Sequence, residues 1–407
     1  MSKKLKLGLF GFGCVGQGLY HVLHETHGVK AEIKKICVKH ADKKRPIDAS
    51  FFTISKEEIL NDPEIDVVVE LIDDSNAAFA IVKEALEKGK AVVTANKKMI
   101  AENFQELYDL QNKYNKPVLY EGSVCGSIPI IRNLEEYYDN DLISSIEGIF
   151  NGSTNYILTE IFDGRKTYSE ALKKAQELGF AESNPALDVK GFDAKFKLTI
   201  AIAHTFGVFV KPDLIVNFGI DKISDVDLKY ARENGYTIKL IAQAFKQGNK
   251  VYGLVAPQFI ETTHLLANVR YEYNAVLVQG AFAEKQIFVG KGAGSYPTGS
   301  AVLSDVSALT YGYRYEYKKK EQDHLSFSND ASVDVIVSFA GDKVKSSDFI
   351  SFGGGYQGGN GRQFLKGKIT LEKLREWADE DEISVILDVD SKIAPVGAGV
   401  KKEVSVA

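Results

Sequence analysis

From Leu5 to Tyr120 the hydrophobic period switches back and forth between two residues and about 3.6, and that alternation limits the fold more than any other feature of the chain. Short apolar runs predict strands at Leu5–Phe10, Ile33–Val38, Asp66–Ile72, Ala91–Ala95 and Pro117–Tyr120. Between them, Cys14–Glu25, Asn76–Glu87 and Asn103–Tyr114 have the spacing of amphipathic helices. Strands joined through helices lie parallel with right-handed crossovers, so the pattern predicts an α/β fold with a Rossmann-like parallel sheet.

The turn between the first strand and the first helix reads Gly11-Phe12-Gly13-Cys14-Val15-Gly16. Glycines there close the turn and let backbone amides and a helix N-terminus approach a pyrophosphate. An ordinary glycine-rich turn is the bland alternative, but this position favours a dinucleotide. Strand two ends Val38-Lys39-His40 and is followed by Lys43, Lys44 and Arg45, where an NAD-specific site would offer a carboxylate to the ribose. A basic cluster accepts a 2′-phosphate, which favours NADP(H) over NAD(H); a solvated basic loop is the competing explanation. Thr94-Ala95-Asn96-Lys97 ends a further strand at the edge of the ligand crevice. That position aims Lys97 at cofactor or substrate and leaves Lys98 as a surface lysine.

A second region, from about Gly122 to Gly290, predicts helices at Pro129–Tyr138, Ser153–Phe162, Tyr168–Leu178 and Asp193–Phe206, and strands at Ile143–Phe150, Tyr236–Phe245, Val251–Val255 and Ala275–Gly280. The order suggests an α+β domain with an antiparallel-rich sheet. Asp193 and Lys197 stand one turn apart on a helix apolar on nearly all sides. Burial lowers a lysine pKa into a range useful for proton transfer, whereas an exposed salt bridge at a helix start is the equal alternative. Just upstream, Glu182 and Asp188 lie in a turn-rich loop and are suited either to holding a substrate ammonium or to complementing a helix dipole. His204 is expected to be a core-facing histidine.

The remaining arithmetic narrows the class of partner. The chain has 407 residues, 50 Lys and Arg against 55 Asp and Glu, a net charge of −5 and a 44% hydrophobic fraction. That excludes disorder, and it argues for a small-molecule ligand rather than nucleic acid or an anionic membrane, which need an excess of basic residues. Cys14, Cys37 and Cys125 are far apart and have no metal-ligand spacing, and no apolar run reaches a membrane span. A reducing, cytoplasmic setting is expected. After the charged break at Lys318–Lys320, residues 322–407 are expected to form a small α+β unit of their own, with strands at Val333–Phe339 and Ser384–Val389, a helix at Leu371–Asp379 and a glycine-rich loop at Gly353–Gly361.

At these residues the chain resembles the homoserine dehydrogenase family. The resemblance runs through 11–16, Val-Val-Thr-Ala-Asn-Lys (92–97), Tyr-Glu-Gly-Ser-Val-Cys-Gly-Ser-Ile-Pro (120–129) and Gly-Ile-Phe-Asn-Gly-Ser-Thr-Asn-Tyr-Ile-Leu (148–158). It continues through 177–182, 191–198 and Lys-Gly-Ala-Gly-Ser-Tyr-Pro-Thr-Gly-Ser-Ala-Val (291–302), so that it covers about residues 3–317. It implies NAD(P)-dependent interconversion of L-homoserine and L-aspartate 4-semialdehyde on the way to threonine and methionine. By the same resemblance Lys197 is the proton donor, Lys97 lies beside nicotinamide and substrate, Glu182 and Asp188 hold the substrate, and Asp193 positions Lys197. Glu121 with the carbonyls of Val124, Gly126 and Ile128 resembles a monovalent cation site for Na+ or K+, and Gly294 resembles a cofactor contact. The implied organisation is a dinucleotide domain over 1–121 completed by 291–317, a catalytic and dimerisation domain over 122–290, and a homodimer. Relatives often carry an ACT domain after that point, but its proline-glycine turn is absent here, and threonine feedback is left as a hypothesis.

Three departures stand out. Asp73-Asp74 replaces a glycine pair and is expected to repel cofactor phosphates or reshape the pocket; Asn184 stands for an Asp, and Lys190 for a Glu. Two rival functions follow from single features. A semialdehyde dehydrogenase of the nucleophilic type would use Cys125, and a catalytically silent NADP-binding sensor would suit Asp73-Asp74 and the C-terminal segment.

Overall fold

The computed structural model describes residues 4–396 apart from 41, 141, 323, 358–360 and 390. Contacts divide the chain into two compact units. The first takes the chain up to Ile143, Phe196–Pro212 and Tyr273–His324; the second takes Ser144–Lys195, Asp213–Glu272 and the chain from Leu325 onward.

The first unit contains a parallel sheet of β1 (Leu5–Phe10), β2 (Ala31–Cys37), β3 (Phe52–Thr53), β4 (Val67–Glu70), β5 (Ala91–Thr94) and β6 (Val118–Leu119) in the order β3-β2-β1-β4-β5-β6. Strand order reverses between β1 and β4, and the crevice at such a switch point is where doubly wound sheets take ligands. Every residue of β4 is buried, as a central strand covered on both faces requires. β3 was not anticipated, because two residues carry no readable period.

A helix at Ser295–Leu309, also unanticipated, packs on the first helix, Cys14–Glu25. Glycines bring the two backbones together. A Cβ on Gly18 would sit 1.9 Å from the Ser295 carbonyl oxygen, and one on Gly299 would sit 2.6 Å from the Gly18 carbonyl carbon. The same unit holds an antiparallel hairpin of Tyr273–Gln279 and Lys285–Lys291.

The second unit is built on a mixed, largely antiparallel sheet in the order Ser145–Ile149, Tyr236–Gln247, Lys250–Glu261, Ile383–Leu387, Ala331–Ala340, Arg362–Thr370 and Ser351–Gln357. Here the structure differs from the expected separate C-terminal unit. Gln258 registers with Leu387, so the late strands extend the sheet of the middle region. Val216, Tyr252 and Leu254 share one core with Val333, Val335, Trp377 and Leu387. The physical reason is that strand edges pair across long sequence separations, which local periodicity does not record. The expected loop at Gly353–Gly361 is corrected in the same way. Its first half belongs to the strand Ser351–Gln357, paired with Arg362–Thr370 across a register shift between Phe352 and Gly354. Gly354 takes φ +121° there, a conformation open to glycine. Residues 358–360 lie outside the described ones.

The helix Phe192–Phe206 carries residues of both units. Among the described residues no helix is long and apolar enough to cross a membrane.

Gly18→Ala tests the helix contact by its sign. Alanine in a helix interior ordinarily stabilises by about 0.5–1 kcal/mol. Here the collision with a backbone oxygen is expected to destabilise by about 1–3 kcal/mol in urea denaturation, with a lower Tm.

Candidate active site

In the first unit the glycine turn has the shape a pyrophosphate needs. Gly11 takes φ +96°, and a Cβ there would meet the Leu71 carbonyl oxygen at 2.5 Å. A Cβ on Gly16 would meet the Gly11 oxygen at 2.7 Å, whereas one on Gly13 would meet nothing within 4 Å. The turn is thus closed on its inner side and open at Gly13. Gly13 caps Cys14–Glu25 and Gly294 caps Ser295–Leu309, both without a side-chain cap, and Ser295 Oγ donates to the Cys14 carbonyl at 2.9 Å. Two uncapped helix starts therefore lie together, each with amides suited to an anion. Phe12 is buried against the edge of Phe52, and Val15 is half-buried.

At the end of β2, Lys39 is exposed. Arg45 donates to the carbonyls of Lys43 at 2.8 Å and His40 at 2.6 Å, and its guanidinium lies 4.8 Å from the Phe52 ring centre. These partners being carbonyls and a ring, its charge remains available to an anion.

A network the sequence did not reveal joins the ends of β4 and β5. Glu70 is fully buried, accepts from Thr94 Oγ1 at 2.6 Å and from the Ile72 amide at 2.7 Å, and burial pushes its carboxyl up to about 7. The Asn96 amide donates to Thr94 Oγ1 at 3.0 Å, and Asn96 caps the helix Lys97–Glu102. That cap fixes where Lys97 leaves the strand. Lys97 is half-buried, whereas Lys98 is exposed and reaches Glu102 at 3.8 Å. The expectation for Asp73-Asp74 changes at its second residue. Asp74 caps Ser75–Glu87 by accepting from the amides of Asn76 at 3.0 Å and Ala77 at 2.9 Å, which commits its carboxylate to the helix.

Glu121 is buried and accepts from the amides of Ile131 and Arg132, each at 2.9 Å. Its own amide donates to Asp305, which pairs with Arg132 at 3.0 Å. Burial, reinforced by the Asp305 charge, pushes Glu121 up to about 8; burial pushes Asp305 up to about 7. Two buried carboxyls thus face one guanidinium. Val124, Gly126 and Ile128 belong to the adjoining buried turn, in which Cys125 and Gly126 are both left-handed. Cys125 has no exposed surface, which makes it unsuited to nucleophilic attack. His204 is a core histidine, between Tyr120 Oη at 2.9 Å and Glu135 at 2.6 Å.

In the second unit one side chain gathers the carboxylates. Asn151 caps Gly152–Phe162 by accepting from the Thr154 amide at 2.8 Å. Its Nδ2 donates to Asp188 at 2.7 Å and to Asp193 at 2.8 Å. Asp193 and Asn151 are buried, and Asp188 is half-buried. Lys197, one turn after Asp193 on the same helix but in the stretch that belongs to the first unit, is 5% exposed. Glu182 stands on the exposed turn after Tyr168–Glu177, where its carbonyl accepts from Gln176 at 2.9 Å. Of the two loop carboxylates, the cluster around Asn151 therefore includes Asp188. Asn184 accepts weakly from the Ala186 amide at 3.3 Å, and Lys190 is exposed.

Comparison with known proteins points one way. The family model for the homoserine dehydrogenase NAD-binding domain matches residues 11–121, and the homoserine dehydrogenase model matches 129–307. The chain belongs to the homoserine dehydrogenase family. Homoserine dehydrogenases of Helicobacter pylori and Bacillus subtilis are 40% and 37% identical over 315 and 321 residues, covering 75% and 77% of this chain and 74% of each relative. The crystal structure of a homoserine dehydrogenase from Thiobacillus denitrificans matches with a TM-score of 0.83 at 30% identity, covering 95% of this chain and 99% of that one. A hyperthermophilic archaeal homoserine dehydrogenase in complex with NADPH matches with a TM-score of 0.65 at 26% identity, over 77% of this chain and 99% of that one. The chain is accordingly an oxidoreductase with a nicotinamide-dinucleotide domain, and neither the Cys125 enzyme nor the silent sensor is favoured.

The contacts of Asn151 with the two carboxylates can be tested apart from its cap. Asn151→Asp keeps the capping oxygen but places a third carboxylate against two. Unfolding free energy is expected to fall by about 1–3 kcal/mol from the lost donor, and kcat/KM for homoserine by about tenfold or more. Unchanged kcat/KM would separate Asn151 from the chemistry.

Proposed function

We propose that the protein interconverts L-homoserine and L-aspartate 4-semialdehyde with NADP(H) as the preferred coenzyme, and that Lys197 carries the proton. The observation that supports this best is the placement of a buried lysine one helical turn after a buried carboxylate that accepts from Asn151. When bound, the nicotinamide supplies the hydride for the aldehyde carbon or accepts it from the alcohol. Lys197 Nζ gives its proton to the developing alkoxide in reduction and receives the hydroxyl proton in oxidation. Asp193 positions Lys197. Asp188 and Glu182 would hold the substrate ammonium, and Lys97, which starts the helix capped by Asn96, would lie beside substrate and nicotinamide.

Residues for the coenzyme fit the group. Gly11, Gly13 and Gly16 with Phe12 and Val15 would take the pyrophosphate side, Gly294 the facing helix start, and Thr94 and Lys97 the nicotinamide end. Lys39, with Arg45 nearby on its loop, would take a 2′-phosphate; the absence of a carboxylate at the end of β2 supports that choice. A monovalent cation held by Glu121 and the carbonyls of Val124, Gly126 and Ile128 would balance the second buried carboxyl. A homodimer in a cytoplasmic setting completes the proposal. Phe282 and Val289, 74% and 55% exposed on the hairpin of the first unit, suit a covered surface.

Two experiments test these assignments. In Lys197→Met, kcat is expected to fall by about a hundredfold or more, while coenzyme binding measured by nicotinamide fluorescence stays near wild type; near-normal turnover would sink the lysine's role. The second measures unfolding free energy against pH. Glu121 is pushed from its ordinary 4.5 to about 8 and Asp305 from 3.8 to about 7, so above their ordinary values the native state binds more protons than the unfolded chain. Stability is fully present at low pH and is lost as pH rises through 7 to 8. With K+ or Na+ in place of a bulky organic cation, the loss is expected to shrink; identical profiles would remove the cation from the proposal.

A further inference from the structure

Lys239 lies in the strand Tyr236–Gln247 and is 3% exposed. Its Nζ donates to Asn155 Oδ1 at 2.9 Å and to the Val269 carbonyl at 2.7 Å. Both acceptors are neutral, and an ammonium has three protons to give. Among the described residues Lys239 forms no ion pair. The carboxylate that acts on it from a distance, Asp163, pairs instead with Arg270 at 3.0 Å. Burial pushes Lys239 down to about 8, which still leaves it largely charged at neutral pH. A buried charge held only by neutral groups is costly, and proteins normally answer it with a partner of opposite sign.

The space for such a partner is present. A cavity of about 200 Å³ opens beside Lys239 and is lined also by Arg270, Thr237, Thr262 and Asn268. It far exceeds what one water needs and falls short of a nucleotide pocket. The two cations, the hydroxyls of Thr237 and Thr262 and the side-chain amide of Asn268 are donors of the kind that a small oxyanion takes. Among the described residues Asp163 is the one lining carboxylate, and its pair with Arg270 is 40% and 55% exposed, which makes it weak and easily rearranged.

We propose that this cavity is a binding site for a small oxyanion of the phosphate type, with Lys239 and Arg270 supplying the charge. On entry the anion takes the third proton of Lys239 and draws Arg270 away from Asp163. None of these residues belongs to the coenzyme or homoserine machinery, so the site would act on the second unit independently of the reaction.

Inorganic phosphate is the probe. Binding is measured by titration calorimetry and 31P line broadening with NADPH saturating, so that the coenzyme pocket is filled, against chloride at matched ionic strength, because phosphate also stabilises proteins nonspecifically. Saturable one-site binding is expected. Lys239→Met and Arg270→Ala should each weaken it, the first by about tenfold or more. Asp163→Asn should tighten it by removing the opposing charge. Arg270→Ala and Asp163→Asn change exposed residues and report even if Lys239→Met does not fold. Phosphate binding that NADPH abolishes, that does not saturate, or that neither Arg270→Ala nor Asp163→Asn alters would overturn the proposal.

Discussion

Two carboxylates depend on one amide. Asn151 gives both hydrogens of its side chain to Asp188 and Asp193 while its oxygen holds the start of Gly152–Phe162. The amide donates one hydrogen to each acid and so fixes the position of both. The chemistry assigned to the helix Phe192–Phe206 follows from that. The proposed roles of Asp193 toward Lys197, one turn further on, and of Asp188 toward a substrate ammonium rest on that placement. The same side chain fixes the helix and the acids together, so the cluster forms only when the fold does.

The coenzyme side rests on a different device. Gly18 and Gly299 remove the side chains between two helices and let their starts come together. Both starts are capped by glycines, at Gly13 and Gly294, and so leave their amides for a ligand. The ends of β4 and β5 are organised by a carboxyl that is wholly buried and pushed up to about 7, Glu70, whose bond from Thr94 sets the turn leading to Lys97. Buried polar networks of this kind are costly unless satisfied, and this one is satisfied by a hydroxyl and an amide.

What was legible in the sequence and what was not divides along physical lines. Local period and turn chemistry located β1, β2, β4 and the first helix, Cys14–Glu25, whose ends match the prediction at both residues. Position within the alternation alone marks Gly11–Gly16 and Lys97 as candidates. Pairing at long range was invisible. Ser295–Leu309 finds its place through Gly18, nearly the whole length of the unit away in sequence, and the strands after Leu325 join a sheet whose other members begin at Ser145. Glycines mislead when they serve close approach, which is why Gly353–Gly355 read as loop and folded as strand. Within the site, the acids and lysines were nameable by type and spacing. Asn151 and Glu70 were not, because a neutral amide and a carboxylate ending an apolar strand become distinctive only through their partners. Asp74 shows the converse: a charge that looked hostile to a phosphate serves as a helix cap.

The central claim is that these parts make an NADP-preferring homoserine dehydrogenase, and the most direct measurement is the homoserine-dependent appearance of reduced nicotinamide, followed by absorbance with NADP+ and NAD+ in parallel. The account predicts turnover with both coenzymes present as alternatives and a kcat/KM for NADP+ higher by about tenfold or more, the scale of one charge-assisted phosphate contact. No homoserine-dependent signal with either coenzyme, or a tenfold preference for NAD+, would contradict it.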